Sequence, residues 1–124
     1  MSYVLAMVEN LFFQTRIRAV AKHIGVELKI VGTGEELVAE TATNPPALVI
    51  VDLNSPSGPL EAVKKIHDSP NPPLIIGYLA HTQTELAEQA AQAGFSKVMS
   101  QGRFTEELPV ALARARGKLE HKVT

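Results

Sequence analysis

The sequence predicts an α/β fold in which one parallel sheet is covered by helices on both faces. Three continuous apolar runs, rich in β-branched residues, indicate strands that are buried on both sides: Tyr3–Val8, Ala47–Val51 and Leu74–Ala80. Strand and helix patterns alternate five times along the chain, which favours a parallel sheet. The 124 residues have the length of one domain, and we expect a core at residues 3–119 and a tail at 120–124.

The first helix and the second strand follow the first apolar run. Asn10 is a suitable helix cap, and Gly25 is suited to end the helix. The segment Glu27–Ile30 alternates polar and apolar residues, which indicates an edge strand with one exposed face. Between Asn10 and Gly25 the apolar residues have the spacing of an amphipathic helix: Phe13, Ile17, Val20 and Ile24.

The next three helices are marked by capping patterns, glycines and prolines. Thr33–Glu36 and Thr82–Glu85 have the pattern of capping boxes, which predicts that the second and fourth helices begin there. The third helix is expected after Gly58 and is ended by the proline-rich segment Ser69–Pro73. Gly94 is expected to end the fourth helix.

A short last strand, Lys97–Met99, precedes the final helix. Thr105 is the predicted cap of this helix, so that Pro109 falls in its first turn, where a missing N–H is tolerated. The chain is expected to fray from Gly117 onwards. The apolar stripe of the helix is Leu108, Leu112, Ala115 and Leu119.

The second apolar run, Ala47–Val51, is followed by an acid, Asp52, and the chain then passes into the loop-forming segment 54–58. In an open parallel sheet, ligands bind where strands end at their carboxyl edge. The position therefore favours a functional role for Asp52, and the alternative is a carboxylate that only shapes the next turn.

Composition excludes several functional classes. A net charge of −1 gives no electrostatic basis for binding nucleic acid or an anionic membrane. The absence of cysteine excludes disulfides, thiolate metal sites and a thiol nucleophile. No apolar stretch has the length of a membrane span, and the chain does not open with the basic residues of a secretion signal. We therefore expect a cytoplasmic protein.

The segment Leu48–Gly58 resembles the receiver domain of bacterial response regulators, with the family's strand, phosphoacceptor aspartate, and the Pro and Gly of the following loop. Ala93 and Gly94 before the last strand match the family as well. The resemblance covers Tyr3–Leu119 and implies a flavodoxin-like (βα)5 three-layer sandwich with strand order 2-1-3-4-5. It also implies that Asp52 accepts a phosphoryl group in a phosphorelay, and that the chain catalyses at most its own phosphorylation from a kinase or small phosphodonor.

The same resemblance implies a cation site. Receivers hold a divalent cation with two acids after the first strand, the phosphoacceptor, and a backbone carbonyl two residues beyond it. The acid positions here are Val8 and Glu9, or Glu9 and Asn10 if the register is shifted by one residue. The implied Mg²⁺ ligands are therefore Glu9, Asp52 and Asn54, a weakened site because one carboxylate is missing.

The phosphoryl contacts and the switch of the family also have altered counterparts. The Thr or Ser position falls on Leu79, the Lys position on Gln101, and the aromatic switch position on Val98. A cation lost where charge develops in the transition state typically costs a few kcal/mol. Lys97 or Arg103 would replace the missing cation only after a shift of register.

These departures leave three hypotheses. The chain is an atypical receiver that acts through protein contacts; or Asp52 is a working, slow phosphoacceptor; or the fold binds a small ligand over its carboxyl edge. No Gly-rich phosphate loop supports the last hypothesis, since Gly32–Gly34 is better interpreted as a helix start. His81, after the fourth strand, is a loop residue or a substitute donor to a phosphoryl group.

The expected partners follow from the family. They are a histidine kinase or phosphotransfer protein on the input side. On the output side they are a partner protein or a second copy of the chain, bound through the fourth helix, fifth strand and last helix. A phosphorylation-independent pseudo-receiver that dimerises or binds a partner is the alternative function.

Overall fold

The computed structural model describes residues 3–123, with side chains for residues 3–117. Five strands alternate with five helices: β1 Val4–Met7, α1 Leu11–Ile24, β2 Leu28–Val31, α2 Gly34–Thr43, β3 Leu48–Asp52, α3 Pro59–His67, β4 Leu74–Leu79, α4 Thr84–Ala93, β5 Lys97–Ser100 and α5 Gln101–Val123. All paired strands are parallel, in the order β2-β1-β3-β4-β5. The predicted fold class and strand order are thus confirmed. No helix within residues 3–123 is long and apolar enough to cross a membrane.

The sheet separates two apolar cores. One core lies between the sheet and α2, α3 and α4, and the other lies between the sheet and α1 and α5. Alternate residues of β3 contribute to the two cores, with Val49 and Val51 on the α2–α4 face and Leu48 and Ile50 on the α1–α5 face. Asp52 follows this alternation and therefore belongs to the α1–α5 face.

Several predicted helix ends are confirmed by hydrogen bonds. Asn10 caps α1 by accepting a bond of 3.2 Å from the Phe13 N–H, and Gly25 ends α1 with φ of 85°. Thr33 accepts a bond of 3.1 Å from the Glu36 N–H, so the predicted cap of α2 is confirmed, and the Thr33 hydroxyl donates to the Glu36 carboxylate at 3.2 Å.

Two predicted helix starts are wrong. The cap of α4 is Gln83 rather than Thr82, and the Gln83 side chain turns back to the Ala80 N–H. The last helix begins at Gln101, directly after β5, because Ser100 Oγ accepts a hydrogen bond of 3.2 Å from the Arg103 N–H.

The early start changes the position of every later residue in α5. Thr105 lies inside the helix, where its hydroxyl donates to the Gln101 carbonyl at 3.0 Å. Pro109 therefore lies in the helix interior rather than in its first turn. The helix also continues past Gly117 to Val123. The side chain of Leu119 and the tail residue Thr124 lie outside the described part of the chain.

Candidate functional site

The carboxyl ends of β1 and β3 meet near the middle of the sheet, where Met7 pairs with Val51. The chain leaving β1 enters α1 on one face, whereas the chain leaving β3 enters α3 on the other face. A crevice forms where the winding reverses in this way, and open α/β sheets bind ligands there. Asp52, the last residue of β3, lies at this point.

The Asp52 side chain is buried and shapes the loop that follows it. The residue is 8% exposed, and its Oδ1 accepts a hydrogen bond of 2.9 Å from the Asn54 N–H. Burial raises the pKa of Asp52, the bond from Asn54 opposes the rise, and the Glu9 carboxylate adds to it. Asp52 thus stabilises the turn after β3, which is the role that the alternative interpretation of the sequence gave it. Its ionised form is disfavoured by its surroundings.

The segment after β1 supplies one carboxylate to this edge. Val8 is fully buried in the core of the α1–α5 face, whereas Glu9 is exposed and acts on Asp52 electrostatically. Within the described residues, no three His, Cys, Asp or Glu side chains form a group that could hold a metal ion. The groups that could contact a cation here are the carboxylates of Asp52 and Glu9 and the backbone carbonyl of Asn54.

The three positions taken from the family's phosphoryl contacts and switch lie near the carboxyl edge. Leu79 is 4% exposed and packs in the core of the α2–α4 face, and Val98 is partly buried against the same core. Gln101 is exposed as the first residue of α5. These side chains offer no hydroxyl, no aromatic ring and no charge.

Lys97 and Arg103, the two side chains considered as substitutes for the missing cation, both bind Glu107. Lys97 Nζ lies 2.6 Å from Glu107 Oε1, and Arg103 Nε donates to the other oxygen of the same carboxylate. These two hydrogen bonds lower the pKa of Glu107 to about 2. The three side chains form an ion-paired network between β5 and α5.

His81 is exposed in the loop after β4.

Sequence reasoning missed a side-chain bridge beside Asp52. Gln83 Nε2 donates a hydrogen bond of 2.8 Å to Asn54 Oδ1, and Gln83 Oε1 accepts one of 2.9 Å from the Ala80 N–H. The bridge joins the loop after β4 to the loop after β3. Glutamine is an uncommon helix cap, and its position inside the apparent capping box concealed this role.

An aromatic cluster on the Asp52 face was also missed. Tyr78 stacks on Phe104 of α5 with ring centroids 4.5 Å apart, and its centroid lies 5.0 Å from that of Phe13 in α1. Burial raises the pKa of the fully buried Tyr78, and the charge of Asp52 raises it further. The available signal was the single hydroxyl in an otherwise apolar strand, next to the strand that carries Asp52.

Solved structures share this architecture. A response regulator from Hahella chejuensis matches over 93% of this chain and 95% of its own, with a TM-score of 0.80 at 18% identity. The receiver domain of the sensor histidine kinase PA1611 from Pseudomonas aeruginosa, solved with magnesium in its active-site cleft, matches over 94% and 98%, with a TM-score of 0.79 at 23% identity. The chain has the receiver fold.

A third structure with the receiver fold contains two proteins. It is the Saccharomyces cerevisiae histidine phosphotransfer protein Ypd1 with the receiver domain of its downstream response regulator Ssk1, matching over 81% of this chain and 78% of that one, with a TM-score of 0.70 at 22% identity. No protein-family model and no curated protein matches the sequence. At these identities the likeness establishes the fold, and the chemistry of the edge rests on the residues described above.

The raised pKa of Asp52 predicts a pH-dependent gain in stability for Asp52→Asn. The amide keeps an acceptor for the Asn54 N–H and removes the buried charge, so we expect a larger free energy of unfolding than wild type at neutral pH. The ionised Asp52 does not destabilise the wild type below the unfolded-state pKa of about 3.9. The destabilisation grows as the pH rises from there through the folded-state pKa of Asp52, and it is complete above that pKa.

Urea unfolding at a series of pH values measures this gain. Glu88→Gln, which removes an exposed carboxylate of α4, is the control and should stay within about 0.5 kcal/mol of wild type. A constant difference at all pH values, or a wild type more stable than Asp52→Asn at neutral pH, would contradict the expectation.

Proposed function

We propose that this chain is an atypical receiver domain of two-component phosphorelay signalling, which acts through contacts with other proteins, and that Asp52 is its phosphoacceptor. The observation that carries the proposal is the position of Asp52, at the carboxyl end of a central strand and at the reversal point of a 2-1-3-4-5 sheet. A carboxylate oxygen there can attack the phosphorus of a phosphodonor, and the bond from phosphorus to the donor breaks as the donor leaves with its electron pair.

The residues around Asp52 differ from those of typical receivers, and for this reason we describe the chain as atypical. With Leu79 and Gln101 at the contact positions, no hydroxyl and no cation from them meets the charge that gathers on the phosphoryl oxygens. Removing one such group typically costs about 3 kcal/mol of transition-state stabilisation, or roughly a hundredfold in rate. A Mg²⁺ ion, where bound by Asp52, Glu9 and the Asn54 carbonyl, would neutralise part of that charge, and the buried Val8 makes its binding weaker than that of a site with two acids after β1.

The proposed partners are proteins. The yeast pair shows a receiver domain together with a histidine phosphotransfer protein, and we propose a histidine kinase or phosphotransfer protein as the input partner, in the cytoplasm. The proposed output surface is the face formed by α4, β5 and α5, where an output protein or a second copy would bind. The Lys97–Glu107–Arg103 network holds β5 and α5 together at this surface.

Acetyl phosphate with Mg²⁺ tests the phosphoacceptor role. We expect a slow gain of one phosphoryl mass in wild type by intact-mass spectrometry, and no gain in Asp52→Ala. Asp68→Ala, which removes an exposed carboxylate at the end of α3, is the matched control and should be modified like wild type. No adduct at any Mg²⁺ concentration, or an adduct that persists in Asp52→Ala, would exclude Asp52 as the acceptor.

The second candidate is a pseudo-receiver that binds or dimerises without phosphorylation. The burial of Val8 and Leu79 favours it, because two positions that contact cation or phosphoryl group in the family are used here as core. Sedimentation or partner binding that is the same for wild type and Asp52→Ala would favour this candidate, whereas a dependence on phosphorylated Asp52 would exclude it.

A further inference from the structure

Asp52 and Tyr78 are neighbours on one face of the sheet. Their Cα atoms are register partners in the parallel pair of β3 and β4, and adjacent strands lie about 4.8 Å apart. Two residues earlier in the same pair, Ile50 and Ile76 both belong to the core of the α1–α5 face. Since side chains alternate along strands, Asp52 and Tyr78 extend from the sheet on this face as well.

The polar atoms of both side chains have bonding capacity left over. The Tyr78 hydroxyl is buried, and within the described part of the chain it has no hydrogen-bond partner. The Asn54 N–H is the one donor that residues 3–117 provide to the Asp52 carboxylate, and it binds Oδ1. A buried hydroxyl without a partner is unfavourable, and phenylalanine would fill the same place beside Phe13 and Phe104 without that penalty.

We propose that Tyr78 is a positioning residue for Asp52. Because no direct bond joins the two side chains, its O–H donates to one water molecule, which donates in turn to the second carboxylate oxygen of Asp52. The phenol of Tyr78 thereby places a hydroxyl from β4 beside Asp52. This hydroxyl lies on the face of β4 opposite to Leu79. The bond also connects Asp52 to the rings of Phe13 and Phe104, and so to α1 and α5.

A consequence follows that rests on the proposed function. A phosphoryl group on Asp52 would occupy one carboxylate oxygen and change the acceptor that Tyr78 meets. The change would be transmitted to the stacked rings of the α1–α5 face. In this chain, the cluster of Tyr78, Phe13 and Phe104 would replace the aromatic switch residue that Val98 on β5 does not provide.

A double-mutant cycle measures the bond in unmodified protein without Mg²⁺. We expect Tyr78→Phe to lower the folding equilibrium constant about tenfold, the size of a hydrogen bond to a charged acceptor. In an Asp52→Ala background the same substitution should change the constant less than about twofold. An equal effect in both backgrounds, or a more stable Tyr78→Phe protein, would overturn the proposal.

Ultraviolet spectroscopy gives a second measurement, which a purely structural role would not affect. The chain has two tyrosines and no tryptophan, so Tyr78 is the sole near-ultraviolet chromophore of its kind in Tyr3→Phe. The Tyr3 hydroxyl donates a hydrogen bond of 2.8 Å to the Asn44 carbonyl and lies at the opposite end of the sheet. We expect a red-shifted Tyr78 absorption, as for a phenol whose O–H donates a hydrogen bond, and loss of the shift in Tyr3→Phe/Asp52→Ala.

An identical spectrum in the two folded proteins would overturn the proposal. Neither measurement uses a phosphodonor, so failure of the Tyr78–Asp52 bond and failure of Asp52 as an acceptor are separate results.

Discussion

Gly94→Ala is expected to destabilise the protein by about 2–5 kcal/mol. Gly94 ends α4 with φ of 115°, a conformation that costs a residue with a Cβ about 1–2 kcal/mol. A Cβ at this position would also lie 2.6 Å from the Cβ of His67 and 2.4 Å from its Cγ. These are the inner atoms of the His67 side chain and cannot be relieved by rotation of its end, so overpacking adds about 1–3 kcal/mol.

The same glycine sets the path of the chain into β5. Its N–H bonds to the Ala90 and Ala91 carbonyls, and the next N–H, that of Phe95, returns to Ala90 at 3.2 Å. Phe95 is thereby directed into the core, where it packs against the backbone of Gly77. Strain at Gly94 therefore acts on the turn and on the contact between β4 and β5.

Thermal and urea unfolding measure the loss in Gly94→Ala. Gly102→Ala is the matched control, because its Cβ would meet nothing within 4 Å and the residue lies in α5. Alanine is favoured over glycine in a helix by up to about 1 kcal/mol, so the control should equal or exceed wild type. A Gly94→Ala protein as stable as the control would show that α4 and β5 can rearrange freely around His67.

Most of the fold could be predicted because its determinants are local. Buried parallel strands produce apolar runs, and the caps at Asn10 and Thr33 and the glycines at Gly25 and Gly94 mark helix ends by their own chemistry. The start of α5 could not be predicted in this way. Thr105 has the chemistry of a cap, but Ser100, placed by the pairing of β5 with β4, accepts the hydrogen bond from the Arg103 N–H in the first turn instead.

Less of the candidate site could be predicted. The position of Asp52 follows from the end of its strand, and the placement of Leu79, Val98 and Gln101 follows from the resemblance. The Gln83 bridge and the register of Tyr78 with Asp52 depend on contacts between segments that are distant in the sequence. No periodicity or spacing within one segment carries that information.

Val8→Asp is expected to give the second large effect, a loss of about 3–5 kcal/mol in the absence of divalent cations. Val8 is 0% exposed in the core of the α1–α5 face, and a carboxylate there is a buried charge without a partner. The Asp52 and Glu9 carboxylates lie at the same edge and add repulsion. Val8→Asn is the control, since it introduces a polar group of the same size without a charge.

Mg²⁺ should restore much of the stability of Val8→Asp and little of that of Val8→Asn. The new carboxylate would complete an acid pair with Glu9 beside Asp52, and an ion that binds only the folded state stabilises it by about 2.7 kcal/mol at a hundred times its dissociation constant. Urea unfolding with and without Mg²⁺ measures this recovery. Equal Mg²⁺ effects on wild type and both variants would show that the edge cannot assemble a cation site. Recovery confined to Val8→Asp would show that the wild-type chain uses this position for core stability at the expense of cation binding.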